Sequence, residues 1–408
     1  MRVCVVGLGY IGLPTALIMA ANNIAVTAVD YNRELVEQLH AGKVTFEEKG
    51  LAELFDKAVM GSIKFQCDYV PADIYIVAVP TPYEADTKII DASYVVNAVE
   101  KVLEISPKGA IIVIESTVSP GTMDRCVRPA IEAKGYTIGE DIHLVHAPER
   151  IIPGNMIYEL ENNSRTIGSD DYLIGKTVAE LYASFCKGNI IQTDIRTAEM
   201  TKVIENTYRD VNIAFANELA MVCRKAGLDV YEIIRIANMH PRVNILQPGP
   251  GVGGHCISVD PWFLVGDFPQ EAKLIEHARM INTEMPTYVL SRIKTIMDNN
   301  GIANIERVGL YGLTYKENVD DTRESPTLQL LEVMREHLGR EVPVYDPMVG
   351  RKITAEQYFD FDAFLEAVDM VVVLVGHTHI KENLDKLAGK VVFDTRNVSN
   401  GDGKNYKL

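Results

Sequence analysis

Short apolar runs alternate with longer stretches of helical periodicity along the N-terminal part of the chain. Residues 2–6 (RVCVV) form a continuous apolar run, as expected of a buried parallel strand. A helical stretch follows to about residue 22, and residues 24–29 predict a second strand. Three later apolar runs predict further strands, at residues 74–79, 110–115 and 143–146. Strands that alternate with helices indicate a parallel, doubly wound α/β sheet.

The pattern changes at Thr197. About thirty residues keep helical periodicity without glycine or proline until Gly227, which suits the position just past a helix end. At about 1.5 Å per residue this helix would be roughly 45 Å long, enough to bridge two domains. More helix is predicted to about Asn299, and the NNG tripeptide that ends at Gly301 indicates a linker.

A second alternating region starts at Val308. RVGLYGLTY predicts a strand, and SPTLQLLEVMREHL predicts a helix with Ser325 as N-cap and Pro326 at its first position. Further strands are predicted in VPVYD, DMVVVLVGH and KVVFDTRN. The chain therefore reads as two α/β domains joined by a long central helix.

Three glycines follow the first strand in the spacing G-x-G-x-x-G. Gly7 permits a tight turn, Gly9 lets the backbone approach a pyrophosphate, and Gly12 lets helix and strand pack closely. Asp30 ends the second strand, where a carboxylate bonds the ribose hydroxyls of NAD and repels the extra phosphate of NADP. The alternative is a purely structural glycine turn, but the strand, helix and acid in the right order favour an NAD site.

Other residues join this predicted cofactor site by position. Ligands of open α/β sheets gather outside the carboxyl ends of strands, and Thr81 and Thr117 follow two such ends. Each threonine could instead merely cap or turn the chain. The predicted cofactor residues beside the glycines and Asp30 are Tyr10, Ile11, Arg33, Thr81 and Thr117.

Composition narrows the classes of function. The formal net charge is −16, so the long-range field repels nucleic acid and anionic membranes. No apolar run reaches the roughly 18–20 residues that a membrane span needs. The six cysteines are scattered without metal-ligand spacing and read as reduced thiols. We expect a cytoplasmic protein with no metal, no nucleic-acid partner and no membrane partner.

One cysteine lies in an unusual context, PGPGVGGHCISVDPW. Glycines before Cys256 would let the backbone wrap around a substrate, and a thiol in an NAD enzyme can hold an aldehyde as a hemithioacetal. The alternative is a small buried cysteine in a glycine-rich turn. Lys202, Asn206 and Arg209 share one face of the long helix and could line a cleft, although such charges are usually solvated.

Several motifs in order resemble the UDP-glucose/GDP-mannose dehydrogenase family along the whole chain. They are GLGYIG, ESTVSPGT, HAPER, AEMTKVIENTYRDVNIAFANE, GVGGHCISVDPWF and GLTYKENVDDTRESP. The resemblance implies oxidation of the C6 alcohol of a nucleotide sugar to a carboxylate with NAD. Within the family, RDVNIAFANE and the segment around Cys256 are most similar to members that act on UDP-N-acetyl-D-mannosamine.

The resemblance implies two Rossmann-like domains around a helical region. The expected bounds are 1–195 for NAD binding, 196–300 for a central domain with the catalytic loop and a dimerisation surface, and 301–408 for UDP-sugar binding. It also implies a homodimer or higher homo-oligomer. Arg242 is the candidate for an arginine that one subunit supplies to the active site of its neighbour.

Catalytic roles also follow from the resemblance. Cys256 would be the nucleophile, while Lys202 and Asn206 would stabilise negative charge at C6, as a cation and an amide can. Asp260 would position a water or relay a proton. Glu149 would act as base for thioester hydrolysis, with Thr117 ordering the water. The family usually has proline at Ser258, a departure that bears on loop stiffness.

The resemblance places the substrate on cations, amides and loop residues. Asp320 and Asp321 lie close in sequence to the cations Lys316 and Arg323 and could instead order that loop. His240 could equally be a packed histidine. Arg396 resembles a C-terminal arginine that reaches the cofactor. The predicted substrate-binding residues are Arg150, Ile151, Lys202, Asn206, Arg209, His240, Arg242, Gly253, Tyr315, Lys316 and Arg323.

Three alternatives remain at this point. The same chemistry could act on UDP-N-acetylglucosamine or UDP-glucose, which differ only at one group or one centre. A single-hydride β-hydroxyacid dehydrogenase would need neither Cys256 nor residues 301–408. A non-catalytic NAD-binding protein would not need the combined set of Glu149, Lys202, Asn206, Cys256 and Asp260.

Overall fold

The computed structural model describes residues 1–254, 256–399 and 405–408. Two compact units make up the chain: residues 1–205 with 266–268, and residues 206–265 with 269–408.

The first unit is built on an eight-stranded sheet in the order β3-β2-β1-β4-β5-β6-β7-β8. Its strands are β1 Arg2–Val6, β2 Ala25–Val29, β3 Ile63–Gln66, β4 Ile74–Val77, β5 Ala110–Ile114, β6 Ile142–His146, β7 Arg165–Ser169 and β8 Ile190–Thr193. Its helices are α1 Gly12–Ala21, α2 Arg33–His40, α3 Leu51–Met60, α4 Ser93–Leu103, α5 Arg128–Ala133, α6 Met156–Asn162 and α7 Tyr172–Ala183. The predicted doubly wound α/β fold is confirmed.

One pairing departs from the predicted all-parallel sheet. β7 runs antiparallel to β6, with Val145 opposite Ser169, and β8 runs parallel to β7. The sequence pattern missed β3, β7 and β8 because IKFQ, RTIGS and IIQT mix polar and apolar positions over only four or five residues.

The long central helix is α8 Ile195–Ala226, with 32 residues. The division between the two units falls within it, between Glu205 and Asn206. The other helices of the second unit are α9 Val230–Ala237, α10 Asp260–Asp267, α11 Lys273–Asn300, α12 Pro326–Leu338, α13 Phe361–Ala367 and α14 Thr378–Glu382. The last turn of α10 is grouped with the first unit.

The sheet of the second unit is parallel, in the order β11-β10-β9-β12-β13-β14. Its strands are β9 Val308–Tyr311, β10 Val344–Tyr345, β11 Gln357–Tyr358, β12 Met370–Val373, β13 Val391–Asp394 and β14 Asn405–Lys407. Cys223 of α8, Ile234 of α9 and Ile293 of α11 share one core with Leu310 of β9 and Val372 of β12. The central helices and the C-terminal sheet therefore bury a common apolar surface, which is the main driving force for their packing.

Helix ends follow the predicted local chemistry in two places and depart from it in one. The Ser325 side chain accepts a hydrogen bond from the Thr327 amide, with Pro326 at the first position of α12. Gly227 follows α8 with a φ of 73°. The helix predicted to about Asn299 ends one residue later: α11 runs to Asn300, so of the predicted NNG linker only Gly301, in the left-handed conformation, lies outside the helix.

Candidate active site

The turn after β1 has the shape that a dinucleotide needs. Gly7 has a φ of 90°, and a Cβ there would lie 2.4 Å from the Ala78 carbonyl oxygen. A Cβ at Gly12 would lie 1.9 Å from the Gly7 carbonyl oxygen, so helix and strand pack as closely as predicted. A Cβ at Gly9 would meet nothing within 4 Å. The open side of Gly9 and the N-terminus of α1, which has no side-chain cap, fit a pyrophosphate.

Asp30 directly follows β2, beside this turn. One of its carboxylate oxygens accepts the Leu8 amide and the other accepts the Asn32 amide, both at 2.8 Å. These bonds hold the glycine turn against β2 and leave further lone pairs on the carboxylate for ribose hydroxyls. Arg33 begins α2 and is exposed, and the Tyr10 ring stacks on Phe46 with 4.3 Å between centroids.

Gly9→Val is expected to weaken NAD binding at least about tenfold while changing the free energy of unfolding by no more than about 0.5 kcal/mol. The side chain would enter open space that we assign to the pyrophosphate. NADH titration by fluorescence and thermal unfolding check the two parts. Gly350→Val is the matched control, since a Cβ there also meets nothing within 4 Å. Unchanged NADH affinity in Gly9→Val would contradict the assignment.

The two predicted threonines follow neighbouring strands. Thr81 is buried beyond β4, and Thr117 is half-buried beyond β5. Ser116, which the sequence analysis did not single out, ties these strand ends together: its hydroxyl donates to the Val79 carbonyl at 2.7 Å and accepts the Val79 amide at 2.9 Å. Position after a strand was the only signal that could have indicated it.

Glu149 belongs to a buried charge cluster. Its carboxylate forms an ion pair with Arg165 of β7 and accepts the Arg150 amide at 2.7 Å. Arg165 also lies 3.6 Å from Glu115, which accepts the Tyr182 hydroxyl at 2.9 Å. All three charged side chains are at most 5% exposed. One buried cation is therefore the counter-charge of two buried carboxylates.

Because one arginine faces two carboxylates, the cluster has an excess of negative charge, and burial together with this charge changes the pKa of Glu115. Desolvation and the nearby Glu149 charge raise the pKa of Glu115 to about 7, although Arg165 and Tyr182 oppose the rise. Glu199, buried on α8 and accepting the Gly121 and Met123 amides, also has a pKa raised to about 7 by desolvation. Neither acid was predicted, because burial of a lone glutamate is not visible in sequence.

Ionisation of Glu115 is expected to lower the free energy of unfolding as pH rises from about 4.5 to 7. A folded-state pKa above the unfolded value means that the folded state binds more protons in this window, so ionising Glu115 costs up to about 1.4 kcal/mol per pH unit. Glu115→Gln should remove this contribution. The contribution of Glu199, whose raised pKa acts in the same direction, would remain, as would that of His146, whose pKa is lowered to about 4 by desolvation and acts in the opposite direction. Urea unfolding at several pH values checks this. An unchanged slope in Glu115→Gln would contradict the buried charge imbalance.

The predicted polar stripe of α8 divides by exposure. Lys202 and Asn206 are buried, whereas Arg209 is exposed. Among residues that the structure describes, no carboxylate lies within ion-pair distance of Lys202, which suits a cation kept for a negative ligand. Asn206 donates from Nδ2 to Asp260 Oδ2 at 2.6 Å, at the start of α10.

Cys256 is the one exposed cysteine of the six, all of which the structure describes. Its carbonyl accepts the Val259 and Asp260 amides at 3.1 and 2.8 Å, which makes a tight turn leading into α10. Ser258 donates its hydroxyl to the Gly254 carbonyl at 2.5 Å, closing the turn across the thiol. The departure at Ser258 thus adds a hydrogen bond where proline would have stiffened the backbone.

The glycines before Cys256 face other parts of the protein. A Cβ at Gly253 would lie 2.3 Å from the Glu324 carbonyl oxygen, and one at Gly254 would lie 2.9 Å from the Tyr315 ring. The Gly254 amide donates to the Arg323 carbonyl at 3.0 Å. The sequence predicts that these glycines admit a substrate, but the space beside them holds residues 315–326. Their absent side chains let the thiol loop pack against that segment.

Neighbouring side chains order Arg323 and the segment that carries it. Asp321 is buried and binds the Arg323 guanidinium at 2.6 Å, so the alternative that this acid orders the loop is supported. His377, which was not predicted, accepts the Asn318 amide at 2.9 Å, and Asn318 and Thr378 exchange two further hydrogen bonds. This clamp holds the segment that carries Tyr315 and Lys316 against the end of β12.

Other predicted substrate residues differ in exposure and in their partners. Arg150 makes hydrogen bonds with Glu205, Ser164 and Thr166, and Ile151 is buried. His240 and Arg242 are exposed, and the Arg242 amide donates to His240 Nδ1 at 3.3 Å.

Arg396 lies after β13 in the second unit. Its guanidinium occupies the space beside Gly249, where a Cβ would approach Nη1 to 2.6 Å.

The domain profiles of one family match three successive parts of the chain. The NAD binding, central and UDP binding domains of the UDP-glucose/GDP-mannose dehydrogenase family match residues 1–186, 196–284 and 309–401. The chain belongs to this family. The predicted resemblance is confirmed, and the chain is an NAD-dependent oxidoreductase that acts on the CH–OH group of a UDP-sugar.

Individual relatives of the family cover nearly the whole chain. A UDP-N-acetyl-D-mannosamine dehydrogenase of Methanococcus maripaludis is 41% identical over 97% of this chain and 93% of the relative. An NDP-N-acetyl-D-galactosaminuronic acid dehydrogenase of Ralstonia nicotianae is 40% identical over 97% and 96%. The solved UDP-N-acetyl-mannosamine dehydrogenase of Staphylococcus aureus superposes with a TM-score of 0.89 at 42% identity, covering 100% and 98%.

Among the described residues of this family member, no helix has both the length and the apolar character that crossing a bilayer requires.

Proposed function

We propose that this dehydrogenase oxidises UDP-N-acetyl-D-mannosamine to UDP-N-acetyl-D-mannosaminuronate, with Cys256 as a covalent nucleophile. The observation that carries the proposal is the contact between the thiol loop and residues 315–326, which lie inside the UDP binding domain. A UDP group held on that segment would place its sugar near the thiol. The names of the Methanococcus and Staphylococcus relatives support the choice of sugar.

The reaction requires four electrons to leave C6 as two hydrides, and two molecules of NAD⁺ bound in turn would each accept one of them. The first oxidation converts the primary alcohol to an aldehyde. The Cys256 sulfur adds to the aldehyde carbon, giving a hemithioacetal whose oxidation yields a thioester. Water then cleaves the carbon–sulfur bond and returns the thiol, with the carboxylate as product.

The polar residues take roles that match their chemistry. Lys202 and Asn206 would stabilise negative charge on the C6 oxygen. Asp260, which Asn206 orients, would hold a water or relay a proton. Glu149, which forms an ion pair with Arg165, would act as base for hydrolysis with Thr117 ordering the water.

Substrate and cofactor contacts extend the proposal. Asp30 and the glycine turn would hold the adenosine and pyrophosphate of NAD, joined by Arg396. The UDP-sugar would contact the predicted residues of the second unit, including Tyr315, Lys316 and Arg323. Three functional domains, 1–195, 196–300 and 301–408, correspond to these tasks.

Assembly as a homodimer or higher homo-oligomer is part of the proposal. Tyr208, Phe215 and Val222 are exposed on α8 at seven-residue spacing, so they share one face of the helix. A second copy would cover this apolar face, and the exposed Arg242 would be available to the neighbouring active site. We place the enzyme in the cytoplasm.

Counting NADH per sugar consumed tests the proposal. The panel is UDP-N-acetylmannosamine, UDP-N-acetylglucosamine, UDP-glucose and UDP-N-acetylgalactosamine, the last because of the Ralstonia relative. We expect two NADH per UDP-N-acetylmannosamine and little turnover of the others. Two NADH on another sugar would overturn the specificity, and one NADH with released aldehyde would overturn the thiol mechanism.

A further inference from the structure

A buried chain of polar side chains runs from α11 through α8 to the thiol loop. Arg279 of α11 forms an ion pair with Asp210 of α8 at 2.5 Å. Asn282 donates from Nδ2 to the Asp210 side chain at 2.9 Å and to its carbonyl at 3.0 Å. Asn217 then donates from Nδ2 to Asn282 Oδ1 at 2.8 Å. Each of the four side chains is at most 4% exposed.

The chain ends on the backbone of the thiol loop. Asn217 Oδ1 accepts the Gly249 amide at 2.8 Å. Since its Nδ2 is already committed to Asn282, the amide of Asn217 has a fixed orientation with the oxygen directed at Gly249. A flipped amide would set a donor against the Gly249 N–H and an acceptor against Asn282 Oδ1. None of these four side chains was predicted as a functional residue from the sequence.

The loop is thereby held at three points. Asn217 fixes Gly249 at its start, the Arg323 carbonyl fixes Gly254 two residues before the thiol, and Asn206 fixes Asp260 at its end. Asn206 and Asn217 both project from α8, eleven residues or about three turns apart. One rigid helix therefore sets the separation of the two loop ends.

We propose that Asn217, oriented by Asn282 and the Asp210–Arg279 pair, is a positioning residue that sets the location of the Cys256 thiol. The inference rests on the proposed role of Cys256 as nucleophile. Asn217 contacts the loop backbone, so it acts on the reaction through the loop. A nucleophile displaced by about 1 Å can lose about 100-fold in rate, which is the scale of effect that a broken anchor can produce.

The test compares Asn217→Ala with Asn212→Ala in the full-length enzyme. Asn212 lies on the same helix and bonds only the Tyr208 carbonyl of its own helix among described residues, at 2.7 Å, so the change of helix propensity is matched. We expect Asn217→Ala to lower kcat about 10- to 100-fold and to reduce NADH per sugar below two, as aldehyde escapes capture. KM for NAD should stay within about twofold. Asn212→Ala should leave kcat, the NADH formed per sugar and KM for NAD unchanged.

Two further measurements separate this inference from the proposed function. The rate of Cys256 alkylation by iodoacetamide, read by peptide mapping with Cys126 as internal reference, reports loop position without turnover. It should change at least about threefold in Asn217→Ala and not in Asn212→Ala. If the wild-type enzyme forms one NADH per sugar, Cys256 is not the nucleophile. The alkylation rates would still show whether Asn217 positions the loop that carries Cys256.

Hydrogen exchange of the wild type keeps the inference testable if Asn217→Ala fails to fold. The Gly249 amide should exchange as slowly as the core amides of α8. Exchange at the rate of exposed loops would overturn the proposal, as would an Asn217→Ala enzyme with two NADH per sugar and wild-type kcat and alkylation.

Discussion

Cys256→Ser is expected to stop the oxidation at the aldehyde, with formation of the carboxylate lowered by about 1,000-fold or more. A serine hydroxyl is a far weaker nucleophile than a thiol at neutral pH, because a hydroxyl needs an adjacent base to activate it, whereas a thiol is already partly ionised. The first oxidation does not use the sulfur, so about one NADH per sugar should still form. Single-turnover NADH absorbance with chromatographic detection of aldehyde and acid measures both.

The matched control for this variant is Cys67→Ser. Cys67 is half-buried in the first unit and has no role in the proposed chemistry, so two NADH per sugar should remain. Trapping of the aldehyde from Cys256→Ser with hydroxylamine should restore steady turnover at one NADH per sugar. Wild-type yield of acid from Cys256→Ser would sink the covalent mechanism.

Arg165→Met is expected to destabilise the first unit by about 3–5 kcal/mol at neutral pH. The substitution keeps much of the apolar stem but removes the cation that faces both Glu149 and Glu115, leaving two carboxylates buried without a counter-charge. It also removes a guanidinium that lies 4.4 Å from the centre of the Tyr182 ring. The loss should be smaller at pH 5, where Glu115 carries a proton.

Urea unfolding followed by circular dichroism, together with hydrogen exchange of peptides covering β5 to β7, measures this loss. Lys176→Met is the control, since its ion pair with Glu180 is exposed and should contribute less than about 1 kcal/mol. Arg165→Met combined with Glu115→Gln should recover part of the stability. An Arg165→Met protein as stable as Lys176→Met would contradict the shared-cation arrangement.

The glycine turn, the cap of α12 and the helix end at Gly227 were predictable because each depends on local backbone chemistry. A strand followed by G-x-G-x-x-G constrains φ and packing within a dozen residues, and periodicity identifies α8 over its whole length. The same local motifs, taken in order along the chain, identified the family. They could not show β7 running against its neighbour, since a five-residue strand with mixed polarity has no direction in its sequence.

The sequence alone determined the NAD turn, the two α/β regions, the long helix and the candidate thiol, because these depend on residues near one another in the chain. Only the tertiary structure decided three other contacts. Arg165 is the counter-charge of Glu115 and Glu149, which are up to 50 residues away in the chain. Gly253 and Gly254 pack against residues 315–326, and Asn217 accepts the Gly249 amide. Burial made these contacts consequential: a charge or amide removed from water must find a partner, and the fold selects which one.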